Sequence, residues 1–228
     1  MKLTYLKKEQ ARFSDCVILL HGLGRTKFSF SKMEAVLIHN GFRVINLDYP
    51  STRKNISVLA DETIKRGLEQ SQQLQARKIH FVTHSMGGIL LRDYLSRNSL
   101  DKIGHTVMLS PPNKGSEIVD KLKNNFFFKW ILGPAGRELG TDRKSLPARL
   151  KPFHHSVGII TGNKSARHDK FFNNFFEGEH DGKVSVSSAR LKGMSDFLVL
   201  PTQHTFIMSD DAVIKQTLHF IKQGTFKR

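Results

Sequence analysis

Residues 78–95 decide the fold and read Lys78-Ile79-His80-Phe81-Val82-Thr83-His84-Ser85-Met86-Gly87-Gly88-Ile89-Leu90-Leu91-Arg92-Asp93-Tyr94-Leu95. Residues 78–82 are rich in β-forming side chains, residues 89–95 have the pattern of a helix, and Ser85 lies in the turn between them. A strand, a sharp turn with serine at its tip and a helix, in this order, are typical of a nucleophile elbow. Such a turn holds the serine hydroxyl clear of the sheet, at a helix N-terminus whose dipole favours negative charge.

The turn departs at one position from the usual Gly-x-Ser-x-Gly pattern, because Thr83 replaces the first glycine. We expect Thr83 to pack beneath the elbow, where a small residue other than glycine fits. Gly87 keeps the second glycine and predicts close packing of the strand against the helix. Taken alone, residues 83–88 also fit an ordinary strand-to-helix turn, so the interpretation depends on the rest of the chain.

A second apolar run, residues 16–20, precedes the sequence His21-Gly22-Leu23-Gly24. Its continuous apolar character predicts a strand that is buried on both faces of a parallel sheet. The glycines on both sides of Leu23 leave room for a substrate to approach the backbone.

The chain resembles the α/β-hydrolase superfamily, in particular its small bacterial lipase/esterase-like members. The matching stretches follow the family's order and are Leu20-His21-Gly22-Leu23-Gly24-Arg25-Thr26, Leu47-Asp48-Tyr49-Pro50-Ser51-Thr52, Val82-Thr83-His84-Ser85-Met86-Gly87-Gly88, Asp181-Gly182-Lys183-Val184-Ser185-Val186 and His204. The resemblance implies a minimal α/β-hydrolase fold, with a mostly parallel sheet, helices on both faces and no large cap domain. It also implies an oxyanion hole made by the backbone N–H groups of Leu23 and Met86.

Strand-like and helix-like runs alternate along the rest of the chain, which is typical of a parallel sheet with crossover helices. The pattern predicts further strands at 43–47, 106–109, 157–160 and 197–200, helices near 31–39 and over 56–68, and a last amphipathic helix capped by Ser209-Asp210-Asp211. A length of 228 residues suits one domain, and we expect residues 1–228 to form it.

Residues 124–152 and 163–180 break this alternation and are predicted as long loops at the carboxyl edge of the sheet, where open α/β folds bind ligands. The first contains Phe126, Phe127 and Trp130, which we interpret as the wall of an acyl-chain pocket or a short lid. The alternative is that these aromatic side chains simply cover the ends of the strands as core.

An activated serine needs a histidine as base and a carboxylate that orients the histidine, and in this fold the chain order is serine, acid, histidine. His204 is the only histidine between the predicted strand 197–200 and the last helix, so it is the expected base. The acid should follow the penultimate strand, where the candidates are Asp169, Glu177, Glu179 and Asp181. Resemblance to the family's Asp-Gly-x-Val segment favours Asp181, with Asp169 and Glu179 as the alternatives.

Composition restricts the partners of the protein. The formal net charge of +16 attracts polyanions, but the basic residues are scattered and no nucleic-acid-binding motif accompanies them. We therefore expect a generally basic surface, weak association with an anionic membrane surface, and no specific binding of nucleic acid. No zinc-binding spacing, Walker loop or dinucleotide fingerprint is present, so we expect neither a metal nor a cofactor.

A single cysteine excludes an intrachain disulfide, and the N-terminus lacks the apolar core of a signal peptide. With no apolar stretch long enough to span a membrane, we expect a cytoplasmic protein. The sequence thus predicts a serine hydrolase of the carboxylesterase or lipase type, which cleaves a small-molecule or lipid ester through an acyl-enzyme on Ser85. The alternatives are an acyltransferase that uses the same triad, and a membrane- or partner-binding protein with residual activity.

Overall fold

The computed structural model describes residues 15–122, 125–165 and 174–228. The described residues form a six-stranded sheet in the order β2-β1-β3-β4-β5-β6, and every neighbouring pair of strands is parallel. The strands are β1 (Cys16–Leu20), β2 (Arg43–Leu47), β3 (Ile79–His84), β4 (Ile103–Leu109), β5 (Val157–Gly162) and β6 (Asp196–Leu200). The predicted α/β class with a parallel sheet is confirmed.

Helices connect the strands. They are α1 (Ser31–His39), α2 (Ile56–Gln73), α3 (Met86–Arg97), α4 (Glu117–Leu122), α5 (Phe126–Arg137), α6 (Leu146–Arg149), α7 (Val186–Ala189) and α8 (Asp211–Gln223), and short 3-10 turns cover Lys27–Phe30 and Ile207–Ser209. Asp210 caps α8, since its side chain accepts hydrogen bonds from the backbone N–H groups of Ala212 and Val213. Among the described residues, no helix combines the length and apolar character needed to cross a bilayer.

Two hydrophobic cores lie on opposite faces of the sheet. In β1, Cys16, Ile18 and Leu20 face one core with the apolar sides of α2 and α3, while Val17 and Leu19 face the other with α1 and α8. Alternation along a strand explains this division, since successive side chains point to opposite faces. Because both faces are covered, the run is apolar at every position, as the sequence predicted.

Several elements extend beyond their predicted limits. Strand β3 continues through Thr83 to His84, so the turn at Ser85 begins at the very end of the strand. Helix α2 continues to Gln73 although its apolar period was evident only to Leu68. The added residues, 83–84 in β3 and 69–73 in α2, are polar, so they do not continue the apolar pattern from which each element was predicted.

The prediction of a long loop over 124–152 is wrong in part, because this segment contains helices α5 and α6. Helix α5 is kinked at Gly133, which has φ 62°, next to Pro134. A Cβ atom at Gly133 would lie 1.8 Å from the carbonyl oxygen of Thr52, so the close approach of two backbones requires glycine. The glycines and proline that predicted a loop produce a kink within a helical segment. Residues Asp169, Phe171 and Phe172 of the second predicted loop lie outside the described residues.

Candidate active site

Ser85 lies between β3 and α3 with φ 52° and ψ −122°, a backbone conformation that costs free energy for any residue with a side chain. Its N–H donates to the carbonyl oxygen of Leu109 at 2.9 Å, which ties the turn to the neighbouring strand β4. A Cβ atom at Gly87 would lie 2.4 Å from the carbonyl oxygen of Leu20, so α3 reaches this position only because residue 87 is glycine. The predicted order of strand, sharp turn and helix is confirmed.

His204 follows β6 and pairs with Asp181, which lies between β5 and β6. The Nδ1 atom of His204 is 2.8 Å from Oδ2 of Asp181, and the backbone N–H of His204 donates to the Asp181 carbonyl oxygen at 3.0 Å. Asp181 is fully buried and His204 is 5% exposed. One hydrogen bond therefore holds the imidazole against the carboxylate, a second joins the two backbones, and both residues are buried.

The other oxygen of Asp181, Oδ1, accepts hydrogen bonds from the backbone N–H groups of Lys183 at 3.0 Å and Val184 at 2.8 Å. Gly182, at φ 101°, allows the turn that brings these donors back to the carboxylate. Burial raises the pKa of Asp181, but the charge and hydrogen bond of His204 and the Lys183 N–H outweigh it, so the pKa lies below its ordinary value. An ionised carboxylate only accepts hydrogen bonds, so Nδ1 of His204 carries a proton, and in the neutral form of the ring Nε2 is left as an acceptor.

His84 contacts His204, and the sequence did not predict this contact. Its Nε2 atom lies 3.1 Å from the carbonyl oxygen of His204, and the two rings are 4.8 Å apart. Burial, followed by the charges of His204 and Arg25, lowers the pKa of His84 well below 6.5, so the ring is neutral. The only signal in the sequence was a histidine at the end of the strand, directly before Ser85.

The loop after β1 approaches Ser85 from the other side and is held by the loop after β2. His21 stacks on Tyr49 with ring centroids 4.0 Å apart, and the Tyr49 hydroxyl donates to the His21 carbonyl oxygen. The N–H of Gly24 donates to Oγ of Ser51 at 2.9 Å. The backbone N–H of Leu23 has no acceptor among the described residues. The sequence matched the second loop to the family but assigned Tyr49 and Ser51 no role.

A cavity of about 340 Å³ opens over Ser85 and His204. Its other described lining residues are mostly apolar and include two cations; they are Leu23, Gly24, Arg25, His84, Pro112, Ser116, Ile118, Val119, Leu132, Leu139, Lys183 and Val184. Asp181 lies behind His204 and does not line the cavity. A serine and a histidine in the lining of an apolar cavity are arranged for chemistry on a substrate with an apolar part.

The other acid candidates are either exposed or outside the described residues. Glu179 is exposed and accepts a hydrogen bond from Nδ2 of Asn163 at 3.0 Å, Glu177 is exposed, and Asp169 lies outside the described residues. For Phe126, Phe127 and Trp130 the structure describes only the backbone, which lies in α5. Leu132 of the same helix lines the cavity, so α5 forms part of its wall.

A buried arginine, which the sequence did not single out, fixes the elbow helix. Arg92 in α3 is 4% exposed, and its guanidinium donates to the carbonyl oxygens of Asn113 at 2.9 Å and Leu150 at 3.3 Å. Burial lowers its pKa to about 10, so the side chain remains charged at neutral pH. This contact joins the helix behind Ser85 to the segments that follow β4 and α6.

Within residues 15–122, 125–165 and 174–228, no group of three or more His, Cys, Asp or Glu side chains is placed to hold a metal ion. The single cysteine, Cys16, is buried in β1, and burial raises the pKa of its thiol to about 12.

Three solved structures show the same architecture at low identity. The mature form of lipase BlEst2 from Bacillus licheniformis is similar over 93% of this chain and 93% of its own, with a TM-score of 0.71 and 22% identity. Phospholipase PlaB from Legionella pneumophila is similar over 90% of this chain and 57% of its own, with a TM-score of 0.64 and 15% identity. For the metagenomic carboxyl esterase MGS0156 the coverages are 84% and 64%, with a TM-score of 0.63 and 16% identity.

At these identities the likeness to solved structures concerns the fold alone, and no curated protein matches the chain. The model of the alpha/beta hydrolase family matches residues 17–218, which include β2 to β6, all of β1 except Cys16, and Ser85, Asp181 and His204. The chain therefore belongs to the alpha/beta hydrolase family.

Proposed function

We propose that the protein is a serine hydrolase that cleaves carboxylic esters through an acyl-enzyme on Ser85. The observation that carries the proposal is the buried hydrogen bond of 2.8 Å between Asp181 and His204, at a cavity whose lining includes Ser85. A protein that only binds a membrane or a partner has no need of all three groups. This favours an enzyme over the binding-protein alternative.

The proton positions define the roles. Nε2 of His204 accepts the proton of the Ser85 hydroxyl while its oxygen attacks the carbonyl carbon of the ester. Asp181 stabilises the imidazolium that forms and keeps the ring in the tautomer that leaves Nε2 free to act as base. His204 then protonates the departing alcohol. Water attacks the acyl-enzyme by the same route in reverse, which releases the carboxylic acid and restores Ser85.

The negative charge that develops on the substrate oxygen is stabilised by the backbone N–H groups of Leu23 and Met86. Leu23 lines the cavity, and its N–H has no acceptor within the described part of the chain. Met86 is the first residue of α3, where an N–H has no partner within the helix. Each such donor contributes on the order of 3 kcal/mol to stabilisation of the transition state.

The acyl chain of the substrate occupies the apolar part of the cavity, between Val119, Leu132 and Leu139. Phe126, Phe127 and Trp130 precede Leu132 in α5, and we assign this part of the helix the role of a short lid or pocket wall. The solved structures with the same fold include a lipase, a phospholipase and a carboxyl esterase, which supports small-molecule or lipid esters as the substrate class.

Weak association with an anionic membrane surface accompanies this function. Phe28, 73% exposed, and Phe206, 61% exposed, lie on the loops that carry Leu23 and His204. The net charge of +16 also attracts anionic lipid. We expect binding to anionic vesicles to weaken steeply between 0.1 M and 1 M salt, because the Debye length falls from about 10 Å to about 3 Å. Salt-independent binding, or none, would remove this part of the proposal.

Labelling with a fluorophosphonate tests the enzyme directly. We expect the probe to modify Ser85 in the wild type and to leave Ser85→Ala unlabelled. A series of p-nitrophenyl esters from acetate to palmitate then defines the chain-length preference. Product analysis with glycerol added to the reaction separates hydrolysis from acyl transfer, since a transferase yields glycerol esters in place of free acid. Absence of both labelling and ester cleavage would favour the binding protein.

A further inference from the structure

Two cationic side chains, Arg25 and Lys183, line the catalytic cavity, and none of its described lining residues is an aspartate or glutamate. Arg25 is half-buried and Lys183 is exposed, so the first is desolvated more than the second. Among the described residues, Arg25 forms no ion pair, and its guanidinium is held by a backbone carbonyl oxygen. An apolar cavity whose described lining contains cations and no carboxylate favours a substrate with both an apolar and an anionic part.

Both cations are attached to the side of the cavity where His204 lies. The Nη2 atom of Arg25 donates to the carbonyl oxygen of Thr205 at 2.6 Å, which fixes the guanidinium beside the residue that follows His204. Lys183 lies two residues after Asp181, and its backbone N–H donates to the Asp181 carboxylate. The field of the cations reaches the neighbour of His204: after burial and His204, the charges of Arg25 and Lys183 contribute to the low pKa of His84.

The proposed proton transfer from His204 indicates whether these cations lie near the alcohol part or the acyl part of the ester. In the mechanism proposed above, His204 donates its proton to the departing alcohol, so the alcohol part lies next to His204. The apolar side chains of Val119 in α4 and Leu132 in α5 then contact the acyl part. We propose that the enzyme selects esters whose alcohol part carries a phosphate or carboxylate group bound by Arg25 and Lys183, an inference that rests on the proposed esterase function.

Arg25 is the main determinant of this selection. A guanidinium binds phosphate or carboxylate through two parallel hydrogen bonds, and partial burial strengthens the attraction. Lys183 is exposed, so its contribution is smaller and more sensitive to salt. A phosphate reaches this subsite either on a dispersed small molecule or as a lipid headgroup, and the physical state of the substrate separates these two sources.

The test compares 1-octanoylglycerol 3-phosphate with 1-octanoylglycerol, both below their critical micelle concentrations. The two esters share the acyl chain and the scissile bond and differ only in the anionic group. We expect the wild type to prefer the phosphate ester at least tenfold in kcat/KM, and the preference to shrink as salt rises. A parallel assay with each lipid in phosphatidylcholine vesicles shows whether the phosphate is recognised on a monomer, at a surface, or in both states.

Variants identify the residues responsible. Arg25→Gln should lower the ratio of the two kcat/KM values about tenfold, and Lys183→Gln should lower it severalfold. Lys192→Gln removes the same charge from an exposed position outside the cavity and should leave both activities unchanged. If Arg25→Gln lowers both activities equally, the guanidinium only supports the loop of His204 and the inference is wrong.

A binding experiment separates failure of this inference from failure of the proposed function. Octyl phosphate should protect Ser85 from the fluorophosphonate at lower concentration than octanol does, even if neither octanoyl ester is a good substrate. Equal cleavage of both esters together with equal protection would leave an esterase without an anion subsite. Absence of labelling at Ser85 would instead refute the proposed function, and the subsite proposal with it.

Discussion

Strand β3 carries a histidine at each end, and each histidine belongs to a cluster of similar composition. The cluster at the carboxyl edge consists of His84, Ser85, Asp181 and His204. The cluster at the amino edge consists of Asp15, His80, His105 and Ser156. Both combine two histidines, one aspartate and one serine, so residue types alone do not distinguish a catalytic site from a structural one.

The geometry of the two clusters differs. At the carboxyl edge, Asp181 is fully buried and lies 2.8 Å from His204, whereas at the amino edge Oδ2 of Asp15 lies 3.5 Å from Nε2 of His80. Asp15 also binds Arg77, with Nε and Oδ1 3.0 Å apart, so its charge is already neutralised. The buried carboxylate of Asp181 binds the ring of His204, whereas the partly exposed carboxylate of Asp15 lies between His80 and Arg77.

The surroundings of the two clusters differ as well. A strained backbone projects Ser85 into a cavity, whereas Oγ of Ser156 is occupied by Nδ1 of His105 at 2.8 Å. A larger, more open depression of about 1090 Å³ lies at the amino edge, but its described lining contains no histidine. A cavity becomes a candidate active site when a serine and a histidine that is paired with a buried carboxylate lie in its lining, and volume alone does not achieve this.

Replacing the two serines should give the largest contrast. We expect Ser85→Ala to lower kcat for ester hydrolysis on the order of 10⁵-fold, because the nucleophile and its proton are lost together. Ser156→Ala should change kcat less than twofold. The measurement is hydrolysis of p-nitrophenyl butyrate, with circular dichroism to show that both variants fold. Activity of Ser85→Ala near that of the wild type would show that the mechanism is wrong.

The two aspartates should give the next largest contrast. Asp181→Asn should lower kcat about 10⁴-fold, because an amide favours the tautomer of His204 that carries its proton on Nε2. Asp15→Asn should leave kcat unchanged, since neither Asp15 nor His80 is among the described lining residues of the cavity. Should Asp181→Asn retain most of the activity, the acid would have to be Asp169 or Glu179, and each would then be replaced in turn.

The wall of the cavity provides a smaller effect that depends on the substrate. Leu132→Ala, and Phe127→Ala combined with Trp130→Ala, should lower kcat/KM for a palmitoyl ester about tenfold and for an acetyl ester less than threefold. The reason is that each buried methylene of the acyl chain contributes about 0.8 kcal/mol through contact with the apolar wall. Equal losses on the two esters would show that these side chains only support the fold.

The smallest effect concerns stability and pH. The pKa of His84 lies well below 6.5 in the folded chain, since burial disfavours the charged ring. Below pH 6.5 the unfolded chain therefore binds a proton that the folded chain does not. Stability should therefore fall as pH falls, by about 1 kcal/mol from this residue between pH 7.5 and 5.5. The check is urea unfolding at both values.

His84→Gln should remove this part of the pH dependence. His80→Gln should remove less, because the nearby charge of Asp15 partly offsets the burial that lowers the pKa of His80. If both variants show the full dependence of the wild type, other buried histidines, such as His21, are responsible.

Much of the fold could be predicted because its signals are local. The apolar run 16–20 and the strand–serine–helix order at 78–95 depend on neighbouring residues, and both are found as predicted. The segment 124–152 misled the prediction, since Gly133 and Pro134 are typical of loops but here produce a kink in α5. That glycine is required by the carbonyl of Thr52, a contact that no local pattern reveals.

The sequence by itself determined the parallel α/β architecture and the sharp turn at Ser85, because periodicity and turn chemistry act over a few residues. Only the tertiary structure decided which carboxylate meets His204, which pair of histidines lies at a cavity, and that Arg25 and Lys183 line the same cavity. These relations join loops that are distant along the chain, and they depend on how the sheet and its helices pack. The spacing of residues along the chain does not reveal that packing.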